Sequence, residues 1–262
     1  MSYVVVCSVA LFVAGLTLFS GFGLGTLLMP TFALFFSVEV AVAATAVVHL
    51  ANNVFKLFLV GRWADRAVLI RFAVPAALCA MLGAWVLVRA AEAKPLIAYE
   101  LAGRACVVTV VKVVVAVLIF GFAVLEVSGW MKGVKLDRRM IPVGGALSGF
   151  FGGLSGNQGA LRTAFLSRAG LEKERLIGTM VASAVVVDVA RLCVYGTGRL
   201  GGAFAELRAG GGWGLVLAAS VAAFAGSSVG VRLVKKVTLG ALHRVIAVML
   251  IALAVALGAG LI

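Results

Sequence analysis

Four basic residues lie inside apolar runs of this chain: Lys56, Lys112, Arg162 and Arg191. A charged side chain inside a bilayer is energetically unfavourable and usually marks an ion pathway, a proton relay or a buried pair. Asp188 is the one carboxylate well inside these runs, and its i, i+3 spacing lets it pair with Arg191. Because several cations share so little acid, the pattern predicts a site for an anion.

A polar stripe in the first half of the chain extends this predicted site. His49, Asn52, Asn53 and Lys56 are spaced i, i+3, i+4 and i+7, so they lie on one face of a helix. We expect Lys56 to supply charge and the two asparagines to orient the substrate. His49 or Asp188 is expected to carry a coupling proton.

Each of these residues has a plainer alternative role. Lys56 lies near the end of an apolar run, from which it can reach the membrane interface. Arg191 can serve only as the partner of Asp188, and His49 can be a hydrogen-bonded packing residue. Lys112 is expected to reach the interface rather than the site.

Two glycine-rich segments interrupt the apolar runs at corresponding places, Gly21–Pro30 and Gly153–Arg162. Short apolar segments broken by glycine in matching halves are typical of transporter binding sites. A helix that starts after such a break directs free N–H groups and a positive dipole end towards an anion. The residues expected to bind in this way are Gly23, Gly25, Thr26, Gly156, Asn157 and Gln158. The alternative is close helix packing, which suits Gly226 and Gly230 better.

Composition places these residues in a membrane protein. Of the 262 residues, 63% are hydrophobic and 13% are charged, and the mean hydropathy is +1.17. A single soluble domain of this length cannot bury so much apolar surface. We therefore expect an all-α integral membrane protein. Its apolar runs are 3–19, 26–37, 40–60, 72–89, 105–127, 141–152, 158–168, 176–196, 212–231 and 245–261.

The halves of the chain repeat each other. Asn53, Lys56 and Gly61 match Asp188, Arg191 and Gly196 at a constant offset. Each half then consists of one glycine-broken hairpin and three long helices, which predicts two inverted repeats. We assign residues 1–127 to the first repeat, 128–140 to a cytoplasmic linker and 141–262 to the second repeat.

Loop charge tests whether the broken pairs are re-entrant hairpins. With hairpins, 14 basic residues fall in the loops of one side and 5 in those of the other, whereas single crossings give 10 and 9. The positive-inside rule therefore favours re-entrant hairpins, with the basic loops in the cytoplasm and both termini outside. The net charge of +13 is thus explained mainly by topology, without nucleic acid.

The chain offers little sign of enzyme or metal chemistry. Its cysteines (Cys7, Cys79, Cys106 and Cys193) are far apart, so neither a metal site nor another cofactor is expected. One motif, the GxSG around Ser155, is shared with rhomboid intramembrane proteases. A protease would need His49 or His243 as its base, and this is the alternative from another class. A passive anion channel is a further alternative.

The paired glycine-rich hairpins, the first ending in Leu-Met-Pro30, resemble those of the TauE/SafE family. The stretch 152–179 resembles the start of that family's second half, and the resemblance spans 3–261. It implies a plasma-membrane exporter, not an enzyme, for sulfur-containing anions such as sulfite or organosulfonates. Ser155–Gly159 departs from the usual glycine run, and Arg162 lies near the place of a missing proline. The sequence leaves the oligomeric state open, with a homo-oligomer as one option.

Overall fold

A computed structural model describes residues 1–20, 24–101, 103–128, 137–233 and 239–261. The described chain is mainly helical, with one short antiparallel strand pair. The helices are α1 (Ser2–Ser20), α2 (Leu24–Ala33), α3 (Val38–Val60), α4 (Arg66–Glu92), α5 (Val110–Ser128), α6 (Ile141–Ser155), α7 (Gly159–Leu166), α8 (Lys173–Tyr195), α9 (Gly198–Ala209), α10 (Gly212–Leu233) and α11 (Leu239–Gly258). The strands are β1 (Ile97–Leu101) and β2 (Arg104–Val108).

Four helical stretches are long and apolar enough to cross a bilayer: Val38–Trp63, Arg66–Glu92, Lys173–Tyr195 and Gly212–Gly230. A hydrocarbon core of about 30 Å requires about 20 helical residues. Large apolar side chains such as Leu78 and Leu217 are exposed on the outside of the bundle, where acyl chains can cover them. The prediction of a helical membrane protein is confirmed at this level.

Two segments expected to be loops form regular structure. Within the expected loop 89–104, Ile97–Leu101 form β1, which pairs with β2, and α5 begins at Val110 rather than at residue 105. The run Cys106-Val107-Val108 favours a strand, and Gly103 makes the turn at φ 77°. The boundary at 105 was therefore wrong.

The expected loop 197–211 instead contains α9. Leu200, Ala203 and Leu207 recur at helical spacing on this segment, and all three are buried in the protein. The glycines and charged residues of this segment conceal the apolar stripe, so the prediction of a loop here is wrong.

Close packing between α4 and α6 depends on glycine. Gly145, Gly149 and Gly153 recur every four residues on α6. A Cβ atom added at Gly149 would lie 2.0 Å from the carbonyl oxygen of Ala76, and one at Gly153 would lie 2.0 Å from that of Ala80. Gly153, which belongs to the second glycine-rich segment, therefore serves helix packing.

The contact between α1 and α10 has the same character. A Cβ atom at Gly226 would lie 2.0 Å from the carbonyl oxygen of Leu11, and one at Gly230 would lie 2.3 Å from that of Gly15. The packing role expected for Gly226 and Gly230 is therefore confirmed.

The loops gather at two ends of the bundle. At one end, which we call the basic end, Arg175 pairs with Asp65 at 3.0 Å, joining the starts of α8 and α4. At the other, which we call the hairpin end after the β1–β2 hairpin, Tyr99 Oη donates to the carbonyl of Ala259 at 2.6 Å. Phe36 also lies beside Gly212 at the hairpin end. Loops expected on the same side of the membrane are thus neighbours.

Candidate functional site

Asp188 is a fully buried carboxylate at the contact between α3 and α8. Its Oδ2 lies 2.7 Å from Nδ1 of His49 and 2.7 Å from the donating Nδ2 of Asn53. His49 and Asn53 are both more than 100 residues from Asp188 in the sequence, so only the packing of α3 on α8 brings them to the carboxylate. One face of α3 and one face of α8 therefore each carry part of the same polar cluster.

The second oxygen of Asp188 contacts groups from its own half. Nη2 of Arg191 lies 2.9 Å from Oδ1, which confirms the predicted pair. Nε2 of Gln158 donates to the same oxygen at 3.2 Å. Four nitrogen atoms from both halves of the chain are thus directed at the two carboxylate oxygens, which have enough lone pairs to accept from all of them.

The polar stripe of α3 is buried along its whole length: His49, Asn52, Asn53 and Lys56 are each at most 6% exposed. When the amide oxygen of Asn52 faces Lys56, it accepts a hydrogen bond from Nζ at 3.2 Å. The amide nitrogen then donates to Oγ of Ser227 at 2.8 Å. The stripe therefore joins α3 to α10 as well as to α8.

The two glycine-rich breaks adjoin each other inside the protein. Gly156 ends α6 in the left-handed conformation, at φ 80°. A Cβ atom at Gly25, at the start of α2, would lie 3.4 Å from the carbonyl oxygen of Gly156. Gly23 and the side chain of Thr26 lie outside the described part of the chain.

Arg162 lies on α7, one turn after Gln158, and is half-buried. Its Nε and Nη1 are buried and have no hydrogen-bond partner among the described residues. It lies close enough to Lys56 for their positive charges to repel, and close enough to Asp188 for attraction. Charged guanidinium N–H groups without a protein partner can donate strong hydrogen bonds to an oxyanion.

Further buried polar atoms around the break have no hydrogen-bond partner in the described structure. They are Thr45 Oγ1, Asn157 Oδ1, Gln158 Oε1 and Arg191 Nε and Nη2, although Nη2 makes the ion pair with Asp188. Buried polar groups are normally satisfied, so such a group of atoms indicates where water or a polar ligand binds.

The described cluster carries an excess of positive charge. Lys56, Arg162 and Arg191 face one carboxylate, Asp188, while His49 is neutral unless it is protonated. A buried excess of cations is stabilised by an anion.

Comparison with protein families agrees with this chemistry. The family model described as Sulfite exporter TauE/SafE matches residues 6–257. The chain belongs to this family. Comparison with curated proteins and with solved structures gives no match. The TauE/SafE resemblance seen in the glycine-rich segments is therefore confirmed across nearly the whole chain.

Lys112 lies outside the cluster of this TauE/SafE protein. Its Nζ donates to the carbonyl of Val107 at 2.9 Å, beside the strand pair at the hairpin end. The prediction that it does not belong to the site agrees with this position, and Lys112 is a matched control for the buried cations.

Ser155 and His49 make separate contacts. Ser155 Oγ donates to the carbonyl of Phe151 at 3.2 Å, and the described contacts of His49 are with Asp188 and Asn53. These contacts do not form the serine–histidine pair that the protease alternative requires. In the described part of the chain, no group of three His, Cys, Asp or Glu side chains could hold a metal ion.

Sequence reasoning missed three buried polar residues near the cluster. Ser148 donates to the carbonyl of Gln158 at 3.1 Å, Ser227 contacts Asn52, and Tyr195 donates to the carbonyl of Gly153. Tyr195 follows Asp188 by seven residues, so helical spacing could have identified it. Ser227 was considered only as part of a packing motif.

Proposed function

We propose that this TauE/SafE protein exports a small sulfur-containing anion, such as sulfite or an organosulfonate, by alternating access around the buried cluster. The observation that carries the proposal is that Nε and Nη1 of Arg162 have no hydrogen-bond partner among the described residues, beside an excess of buried positive charge. In the family context, these two N–H groups can each donate a charge-assisted hydrogen bond to an oxygen atom of a sulfite or sulfonate group.

The two breaks supply the remaining donors of the proposed site. At the start of α7, Asn157 and Gln158 offer amide groups, and at the start of α2, Gly25 and Thr26 offer backbone N–H groups. Gly23, which is proposed with them, lies outside the described residues. Both helix starts contribute the positive end of a dipole. On the facing helices, Asn52, Asn53, Lys56 and Arg191 complete the proposed binding set.

The proposed inverted repeats are 1–127 and 141–262, joined by the linker 128–140. The way the helices of the two repeats pack on each other supports them. Helix α1 corresponds to α6, and α4 corresponds to α10. Helix α1 packs on α10, and α6 packs on α4, so each of these pairs joins one helix of each repeat. Helices α3 and α8 pack on each other, as do α5 and α11, as expected for helices that lie on a two-fold axis.

The proposed re-entrant hairpin of the second repeat also has support. A Cβ atom at Gly144, near the start of α6, would overlap the side chain of Phe165, near the end of α7. Ile141 and Leu166 belong to the same core cluster. These contacts support a chain that enters and leaves at one level, with Gly156 at the tip.

His49 is the proposed carrier of a coupling proton, with Asp188 as its counter-ion. Neutral His49 donates through Nδ1 to Asp188, which leaves Nε2 to accept a proton. Protonation adds one positive charge to the cluster and thereby strengthens anion binding.

The transport function is tested by reconstitution in the lipid bilayer of liposomes loaded with sulfite. We expect wild-type efflux, a loss of roughly tenfold to a hundredfold in Vmax/KM for Arg162→Ala, and little change for Lys112→Ala. The estimate corresponds to one charge-assisted hydrogen-bonding group, about 1.5–3 kcal/mol. Equal efflux from Arg162→Ala and wild-type protein would contradict the assignment of Arg162.

Alternating access is distinguished from a passive channel by trans-acceleration, the faster efflux of a substrate when the same substrate is present on the opposite side. External unlabelled sulfite should accelerate efflux of labelled sulfite from liposomes if one site alternates between the two sides. Efflux that external sulfite does not accelerate would favour the channel.

A further inference from the structure

Tyr195 is a fully buried tyrosine on α8, close to the second break. Its hydroxyl donates to the carbonyl oxygen of Gly153, in the last turn of α6. The last carbonyl groups of a helix lack partners within that helix and need donors from elsewhere. Tyr195 therefore fixes the end of α6 at the point where the chain leaves the helix.

Arg191 contacts the same end of α6 from one turn earlier on α8. Its Nη1 donates to the carbonyl of Gly152 at 3.5 Å. The same nitrogen lies 2.8 Å from the place where a Cβ atom of Gly156 would lie. The break thus packs directly on α8, with no room for a larger residue at its left-handed position.

Asp188 completes this face of α8 by accepting from Gln158, the residue before α7. Asp188, Arg191 and Tyr195 are spaced i, i+3 and i+7, so one helix face contacts both sides of the break. The backbone N–H of Arg162 donates to the carbonyl of Gln158 at 3.0 Å. Arg162 is therefore linked to this face of α8 through Gln158, which contacts Asp188 with its side chain and Arg162 with its backbone.

We propose that Tyr195 is a positioning residue for the anion site, acting through the break to place Arg162. The inference rests on the proposed transport function, because it concerns the affinity of that site. Tyr195 acts on the carbonyl of Gly153 rather than on the anion. Its hydroxyl keeps the end of α6, the break and the start of α7 in the arrangement that directs Arg162 at the ligand.

The first repeat has no tyrosine at the position that corresponds to Tyr195. Asn53 precedes Asp188 by 135 residues, and Lys56 precedes Arg191 by the same interval. The position that corresponds to Tyr195 is Val60, which has no hydroxyl group. The repeat pattern therefore does not predict the contact.

The test compares Tyr195→Phe with Tyr99→Phe in sulfite-loaded liposomes. Both tyrosines donate to a backbone carbonyl, but Tyr99 does so at the hairpin end. We expect the apparent KM for sulfite to rise roughly fivefold to tenfold in Tyr195→Phe, with Vmax within about twofold of wild type. Tyr99→Phe should keep the wild-type KM. Tyr195→His, which keeps a ring N–H donor, should recover part of the affinity and provides the measurement if Tyr195→Phe folds poorly.

A double-mutant cycle separates positioning from general stability. In an Arg162→Lys background, Tyr195→Phe should raise KM by less than about twofold, because the group that it positions has been replaced. Additive effects on KM, or an unchanged KM in Tyr195→Phe, would overturn the positioning role. Absence of sulfite efflux from wild-type protein would instead overturn the proposed function itself.

Discussion

At the scale of single residues, the charge balance around Asp188 decides what the cluster can bind. Asp188 contacts His49 and Asn53 through one oxygen and Arg191 and Gln158 through the other. Its negative charge is therefore shared among neighbours from both halves of the chain. Arg162 and Lys56 contribute the excess positive charge that the proposed anion would balance.

His49 gives a prediction about pH at this scale. Protonation at low pH should lower the apparent KM for the anion, and deprotonation as pH rises should increase it, since the added charge is lost. In His49→Gln the KM should stay constant between about pH 5 and 8. The measurement is efflux of isethionate, because its sulfonate group stays ionised over this range.

The second histidine supplies the control for this experiment. His243 lies near the start of α11, which begins at Leu239 rather than at residue 245, and His243→Gln should keep the wild-type pH profile. The same pH dependence in wild type and in His49→Gln would contradict the proposed proton coupling.

At the scale of helices, glycine determines how closely α4 and α6 approach. An added Cβ atom at Gly149 would lie 2.0 Å from the backbone oxygen of Ala76, which cannot move without separating the helices. Gly121, on α5, has open space around the same position. The two glycines are thus a matched pair with opposite expectations.

Gly149→Ala should destabilise the protein, whereas Gly121→Ala should leave its stability unchanged or raise it by up to about 1 kcal/mol, since alanine is the better helix former. The midpoint of thermal unfolding in detergent, followed by size-exclusion chromatography, measures both changes. A midpoint for Gly149→Ala equal to or above that of Gly121→Ala would show that the helices can separate without loss.

At the scale of the whole molecule, the grouping of loops gives a prediction about orientation. Glu100 is an exposed residue of β1 at the hairpin end, and Glu172 is an exposed residue before α8 at the basic end. By the positive-inside rule, the basic end should face the cytoplasm.

Single cysteines in a background without the four native ones test this orientation. A membrane-impermeant maleimide should label Glu100→Cys in intact cells, and Glu172→Cys only after permeabilisation. The two positions are alike in side chain and exposure, so each is the control for the other. The reverse pattern of labelling would mean that both termini lie in the cytoplasm.

The sequence by itself determined the class of protein, the approximate limits of most helices and the family. These properties follow from local information: apolar length sets a membrane span, and helical spacing sets the face that His49, Asn52, Asn53 and Lys56 share. Local information was insufficient at β1, β2 and α9, where short elements gain their stability from neighbours distant in the chain.

Only the tertiary structure decided which polar residues meet. It brings His49 to Asp188 across 139 residues, places Gly25 beside Gly156 and leaves Lys112 at the hairpin end. It also assigns Gly153 to helix packing and reveals the contact of Tyr195 with the end of α6. The physical reason is that spacing along a helix fixes a direction, whereas a binding site requires the distance between helices, which depends on how all of them pack.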